Sequence, residues 1–299
     1  MTKKFADLHV HTNLSDGVFS PEEAVRYAKE VGLSAISITD HDSTEGVAAA
    51  ILEGEKIGVE VIPGVELSTE VKETGTSEMH ILGYFLNWKN EQFQEKLNLF
   101  RKFRTERARM IIDKLLKLGL AFDEARLYES AGTGTIGRLH FAKALIEQGF
   151  VENVGHAFDK YLGYGKPAYV AKLQLKPEEA ISMILKTGGI PVLAHPHFGN
   201  YANKNTLHGL VSSGLQGIEV WHSNHPQWAV EKYTELAQEM GLIATGGSDC
   251  HGSYGKQQAA MGRVKLPYDI VIQLKERKKK LEQDNSSILD RSASSGGAI

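Results

Sequence analysis

The 299-residue chain contains a single cysteine, Cys250, so no disulfide can form within it. It has no apolar stretch near the roughly 20 residues that cross a bilayer, and its start, MTKKFADLHV, runs into a strand-like pattern without an apolar signal region. These absences predict a soluble, cytoplasmic protein in a reducing setting, with no membrane partner. Neither sign of charge dominates: 34 Lys+Arg stand against 37 Asp+Glu, a formal net charge of −3. That balance argues against wholesale coating of nucleic acid and against duplex DNA as a partner. No GxGxxG follows the first strand-like run, which weakens a dinucleotide-binding reading, and there is no convincing internal repeat.

What the chain does have is 41% hydrophobic residues, enough for a large core in one domain or two. Seven short apolar runs stand out: FADLHV, AISITD, VEVIPGVEL, MHILGYF, IPVLAHP, GIEVWH and LIATGGSD. Helical patterns lie between them. In SPEEAVRYAKEVG, Ser20 is placed to cap, Pro21 suits the first turn and Gly32 ends the helix. Alternating strands and helices indicate parallel βα units, as an open doubly wound sheet or a closed barrel, and seven strands of this spacing lean toward a barrel. From about residue 89 to 175 the strand signal disappears and helices take over. That stretch holds 15 Lys+Arg against 10 Asp+Glu, a net of +5, which leaves −8 for the rest. A cation-binding part and an anion-attracting part would give this split, and so would ordinary solvated helix faces. The expected organisation is α/β: a barrel from 1–88 and 176–283, a helical insertion at 89–175 for substrate binding, and a small polar tail at 284–299 that adds little to the core.

In a strand, residues i and i+2 share a face, so His9 and His11 can aim two imidazoles at one point, and Asp249 and His251 repeat the spacing. His41, Glu66 and His195 follow apolar runs, at strand C-terminal ends, which converge on one mouth in a parallel barrel. His80 instead sits near the start of its run, so its strand is expected to enter the site differently. Each of these histidines, taken alone, has a plain alternative as a satisfied core or surface residue. Together with Asp16, nine titratable groups at strand ends are costly to bury without a cation. A mixed His/carboxylate set suits Mn²⁺, Zn²⁺ or Fe²⁺ better than Ca²⁺. Nine groups are too many for one ion, and two or three ions sharing a carboxylate such as Glu66 would use them.

The ordered stretches DLHVHTNLSDG, ITDHDS, GVELS, HILGY, LAHPH, GIEVWHS and GGSDCHG, spanning residues 7 to 252, resemble the PHP family, named for polymerase and histidinol phosphatase. The resemblance implies a distorted (β/α)7 TIM-like barrel with a trinuclear metal centre. It also implies that His9, His11, Asp16, His41, Glu66, His80, His195, Asp249 and His251 are the ligands. GTIGRLHFAKALIEQGFV and YLGYGKPAYV are similar to the insertion of stand-alone phosphoesterases in that family, the group with 3',5'-nucleoside bisphosphate phosphatases and a 5'-to-3' oligoribonuclease. On that resemblance Arg138 and Lys166 are phosphate-binding candidates; the alternatives are a helix-surface charge and a loop charge. His222 and His197 are candidates for proton transfer or phosphate contact, or, with Glu219, for orienting the ligands. Asp40 and Asp42 are placed to orient His41, and Cys250 to pack. The implied activity is metal-dependent hydrolysis of a small phosphorylated substrate, a nucleotide or short RNA. Histidinol-phosphate phosphatase is the enzyme alternative and a non-catalytic metal-binding scaffold the alternative of another class.

Overall fold

Ser20 starts the first helix as its side chain suggests: its hydroxyl accepts from the Glu23 amide, the Glu23 carboxylate accepts from the Ser20 amide, and Pro21 occupies the first turn. Ala24, Val25 and Ala28 form its buried stripe. The computed structural model describes residues 3–70, 78–131, 136–171, 175–198, 203–253 and 258–295. In chain order its elements are β1 (Phe5–Val10), α1 (Pro21–Glu30), β2 (Ala35–Ile38), α2 (Val47–Ile57), β3 (Glu60–Glu70) and β4 (Glu78–Tyr84). Four helices follow, α3 (Glu91–Lys117), α4 (Glu124–Ala131), α5 (Arg138–Glu147) and α6 (Val154–Ala157), then a π-helical turn (Phe158–Leu162). The chain then continues through α7 (Pro177–Lys186), β5 (Ile190–Leu193), α8 (Lys204–Ser212), β6 (Gly217–His222), α9 (Gln227–Glu239), β7 (Ile243–Gly247), β8 (Leu266–Pro267) and α10 (Asp269–Ser295).

All seven expected strands are present, in one sheet ordered β7-β6-β5-β4-β3-β2-β1-β8. The sheet curls until the chain after β7 meets β1: Cys250 N donates to His9 O at 3.3 Å, and His11 N donates to Cys250 O at 2.9 Å. The result is a nearly closed barrel, with helices around it. Close passage there requires a glycine, because a Cβ at Gly247 would lie 2.3 Å from the His9 Cβ. Uniformly parallel βα units are not what forms. β4 runs antiparallel to both β3 and β5, and the short β8 antiparallel to β1. The reason for β4 is length: seven residues separate β3 from β4, too few for the crossover of a dozen or more that a parallel neighbour needs. Reversal brings the early part of β4, with His80, to the mouth reached by the C-terminal ends of the other strands.

Helix α3 belongs to two cores. Phe93, Leu97 and Phe100 join the barrel core with Val65, Ile81 and Ile184, whereas Ala108, Ile111, Ile112 and Leu115 build a separate cluster with Phe122, Leu127, Phe141, Leu145 and Leu162. One rod therefore ties the helical segment to the barrel. The polar stretch from residue 284 continues α10 as far as Ser295, and residues 296–299 lie outside the described set. Among the described residues, no helix is long and apolar enough to cross a membrane.

Candidate metal centre and phosphate cavity

The nine expected ligands meet at the barrel mouth. His9 and His11, on one face of β1 and its extension, lie with their Nε2 atoms 3.1 Å apart. Asp249 Oδ1 is 3.4 Å from His9 Nε2 and 3.1 Å from His11 Nε2. Asp16, on the loop after β1, places Oδ1 3.2 Å from His251 Nε2 and Oδ2 3.8 Å from His41 Nε2. Glu66 is fully buried in the middle. Its Oε1 accepts from or faces His80 Nδ1 at 2.8 Å and His195 Nε2 at 2.9 Å, while Oε2 lies 3.0 Å from His41 Nδ1, 3.2 Å from His11 Nε2 and 3.4 Å from His9 Nε2. Asp42 and Asp249 adopt left-handed backbone, φ 49° and 54°, which aspartate tolerates better than most residues.

Electrostatics bind this set as one unit. Burial works to raise the Asp16, Glu66 and Asp249 carboxyls, yet neighbouring imidazoles hold all three well below the usual carboxylate range, led by His41 for Asp16 and Glu66 and by His9 for Asp249. Burial opposes charge on His9 and His11 too, but Glu219, Asp249 and Glu66 raise His9 well above its ordinary value, and Asp249 and Glu66 take His11 to about 10. Burial lowers His41 to about 3, with His11 and His80 also opposing its charge. Three carboxylates are thus balanced by protons on some imidazoles, a job that divalent cations can take over.

The unsatisfied atoms fit that exchange. Glu66 Oε2 lies near three imidazoles but is hydrogen-bonded to none, and the buried nitrogens His11 Nδ1, His41 Nδ1 and His195 Nδ1 also have no hydrogen-bond partner among the described residues. A buried polar atom left this way is costly. Three groupings have ligand atoms close enough to share an ion: His11, Asp16, His41 and His251; His9, His11 and Glu66; His41, Glu66 and His80. The cluster is able to bind metal. Around it, Glu219 accepts from His9 Nδ1 at 3.1 Å and from the His195 amide at 2.8 Å, so one carboxylate aims two of the candidate ligands.

A cavity of about 180 Å³ opens beside the centre, lined by Asp16, His41 and His80 on the barrel side and by Arg104, Arg107, Arg138 and His140 on the helical side. Arg138 begins α5, with its guanidinium 5.6 Å from the Phe158 ring centre. Arg104 pairs with Asp42 and reaches Ser68 Oγ at 3.3 Å; Arg107 Nε donates to Val170 O at 2.8 Å. Neither Arg104 nor Arg107 was among the sequence candidates. A signal existed: on α3 the positions 93, 97, 100, 104, 107, 108 and 111 form a helical stripe, and two of them are arginines where the rest are apolar.

Other expected residues fall elsewhere. Lys166 is exposed on the turn after the π-helical segment and does not line the cavity. His197 packs with Phe198, His225 and Trp228, outside the ligand cluster. His222 does reach the centre, with Nε2 3.4 Å from Asp249 Oδ2. Asp40 does not orient His41: it accepts from the Thr12 amide and hydroxyl, both at 2.7 Å, and from Ser15 Oγ at 2.6 Å, and so holds the loop that carries Asp16. Asp42 accepts from the Ser68 amide at 2.9 Å and from Arg104, linking the His41 loop to β3 and α3. Cys250 is buried in the apolar cluster behind β1, as expected of a packing residue.

Residues 7–160, just over half of the sequence, match the PHP domain family. The chain belongs to that family. This PHP protein is 34% identical over 256 residues to a 5'-3' exoribonuclease from Haemophilus influenzae, covering 84% of this chain and 91% of the relative. It is 34% identical over 252 residues to a 3',5'-nucleoside bisphosphate phosphatase from Chromobacterium violaceum, covering 82% and 86%. The fold is similar to the crystal structure of a Bifidobacterium adolescentis protein assigned as a metal-dependent phosphoesterase, with a TM-score of 0.80 and 27% identity over 91% of this chain and 95% of that one.

Proposed function

We propose that this PHP protein hydrolyses phosphate esters of nucleotides, either 3',5'-nucleoside bisphosphates or short 5'-phosphorylated RNA, at a centre of two to three divalent ions, Mn²⁺ before Zn²⁺ or Fe²⁺. It is a metal-dependent phosphoesterase. The observation that carries the substrate reading is the shared wall: Asp16, His41 and His80 of the ligand cluster line the same cavity as Arg104, Arg107 and Arg138. A phosphate at the centre therefore has room beside it for a second phosphate or a backbone, met by guanidinium groups whose planar forks suit it. The two nucleotide-acting relatives named above support the same class.

Bound ions would polarise the phosphate and lower the pKa of water. In this assignment Glu66 spans the centre, His9, His11 and Asp249 close one side, Asp16, His41 and His251 the second, and His80 and His195 the third. Glu219, by accepting from His9 Nδ1, leaves His9 Nε2 free to ligate. Arg138, with Arg104 and Arg107, holds the part of the substrate that does not react. His222 is the proton donor to the leaving oxygen: its Nδ1 is held by the Asn224 amide at 3.1 Å, which turns Nε2 to the centre, 3.4 Å from Asp249 Oδ2.

Purified protein is expected to hold more than one transition-metal ion per chain, measured by mass spectrometry after gentle purification. One ion or fewer after Mn²⁺ reconstitution would count against the shared-carboxylate centre. Uptake should also release protons and weaken as pH falls, because His9 and His11, both raised, carry protons at neutral pH that a cation must displace. Titration calorimetry in buffers of different ionisation enthalpy reads that release directly.

Phosphate release from nucleoside bisphosphates, 5'-phosphorylated oligonucleotides and histidinol phosphate, with Mn²⁺ added, tests the class. Preference for histidinol phosphate would overturn the nucleotide reading. Arg138→Ala should keep its metal and lose about 10- to 150-fold in kcat/KM on bisphosphates, the worth of a charge-assisted contact of about 1.5–3 kcal/mol. A simple aryl phosphate, which has no remote phosphate, should lose less. Lys166→Ala should lose less than Arg138→Ala on either nucleotide substrate, since Lys166 stands outside the cavity. Equal losses for Arg138→Ala on bisphosphate and aryl phosphate would remove Arg138 from remote-phosphate binding.

A further inference from the structure

The arginine cavity is one margin of the centre; the opposite chemistry borders His195 and His222. After β5 the chain turns tightly, with Phe198 N donating to His195 O at 3.1 Å. This sets the Phe198 ring 5.6 Å from the ring of His195 and 5.5 Å from that of His222, centre to centre. His197 follows at 5.9 Å from Phe198, and Trp228, at the start of α9, at 5.2 Å from His197. Three rings, Phe198, His197 and Trp228, thus step away from His222 at near-even spacing. Behind them His225 packs on His222 at 5.0 Å, and Tyr233 on His225 at 5.5 Å. His225 is tied down by a 2.8 Å hydrogen bond from Nδ1 to Val220 O.

The outer rings are not turned inward. Phe198 is 43% and Trp228 55% exposed. Single exposed apolar residues are ordinary on any protein surface, and neither would carry meaning alone. Here Phe198 is in ring contact with both a candidate ligand and the candidate proton donor, and it is absent from the lining of the arginine cavity. No Lys or Arg belongs to this row of rings. A flat, uncharged, π-faced group would find stacking partners held in place by packing.

We infer that Phe198, continued by His197 and Trp228, is a stacking platform for the bases of the substrate, so that the phosphates are gripped on the arginine side and the bases by ring face on the His195–His222 side. This inference rests on the nucleotide phosphoesterase reading and deepens it. It predicts tolerance of base identity, because every base offers a π-face and nothing in the row reads a base edge. It also gives His197 a role in substrate contact in place of proton transfer.

The test compares a 5'-phosphorylated trinucleotide with the same compound made abasic, at saturating Mn²⁺, for wild type, Phe198→Ala, Phe198→Leu, Phe198→Tyr and Trp228→Ala. Stacking on one ring predicts that Phe198→Ala loses about 5- to 150-fold in kcat/KM on the base-bearing substrate. Most of that loss should disappear on the abasic one. Phe198→Tyr should recover the activity because it restores the ring, and Phe198→Leu should not, although it keeps apolar volume. Trp228→Ala should lose in the same direction but less, being further out. Metal content measured on each variant separates a stacking loss from a disturbed His195. Equal loss on both substrates, full activity in Phe198→Leu, or a wild type indifferent to removal of the bases would overturn the platform and leave the phosphoesterase reading standing. Wild type that cleaves aryl phosphates but neither trinucleotide would overturn the platform, and if it also spares 3',5'-nucleoside bisphosphates, the nucleotide reading itself.

Discussion

Glu66→Gln is expected to abolish turnover, by at least about 1000-fold, while the barrel stays folded. The carboxylate sits between five imidazoles, with Oε1 2.8–2.9 Å from His80 and His195 and Oε2 3.0–3.4 Å from His41, His11 and His9. Gln preserves the shape but replaces one oxygen with an NH₂ group, which can donate but cannot ligate, and it removes the single negative charge common to these groups. Each ion bound at such a centre would contribute several kcal/mol of transition-state stabilisation, at about 1.4 kcal/mol per decade of rate, so loss of a carboxylate that two ions would share is multiplied. Metal content should fall in parallel. Folding should persist, because the surrounding strands are held by large apolar clusters to which Glu66 does not belong. Phosphate release, bound metal and far-UV circular dichroism, measured on one preparation, check the three parts. Near-normal activity at saturating Mn²⁺ would sink the bridging role of Glu66.

His222→Ala should slow hydrolysis of nucleotide esters by about 100- to 10,000-fold, the range for a lost general acid. An aryl phosphate with an acidic phenol leaving group should be spared most of that loss, since its leaving oxygen departs without a proton. His222 is buried at the end of β6, its Nδ1 is occupied by the Asn224 amide, and its Nε2 has no hydrogen-bond partner among the described residues although Asp249 Oδ2 lies 3.4 Å away. A donor kept dry, oriented and unspent beside the centre is what proton transfer to a leaving group needs. The contrast between leaving groups discriminates the roles. A residue that only steadied Asp249 would cost both substrates equally and lower metal content, and either of those results would remove His222 as the acid.

Much of the candidate site was legible because its signal is local. His9 and His11 owe their common direction to the two-residue period of a strand, and Ser20, Pro21 and Glu23 start α1 through contacts within one turn. The odd position of His80 within its apolar run was legible too, and the short β3–β4 link is the physical reason for it. Arg104 and Arg107 were harder: in a helix that also carries Arg101, Lys102 and Arg109, each looks like another surface charge. Glu219 was legible as a residue that could orient the ligands, but not that it serves His9 and the His195 amide, since neither lies near it in sequence.

By itself, then, the sequence determined the strands, the residue types at their ends and, through period and chain length, which side chains could face one mouth. Only the tertiary structure decided which cations face that mouth. Phe93, Leu97 and Phe100 dock α3 against the barrel, and that docking sets the rotation of the whole rod. The rotation turns Arg104 and Arg107 toward the centre and leaves Arg109 largely in water. In the same way, closure of the sheet at β1 and β7 brings Asp249 to His9 and His11 across more than 230 residues of chain. Side-chain direction along one element is a short-range property of the backbone, whereas the meeting of distant elements depends on how their apolar faces pack together.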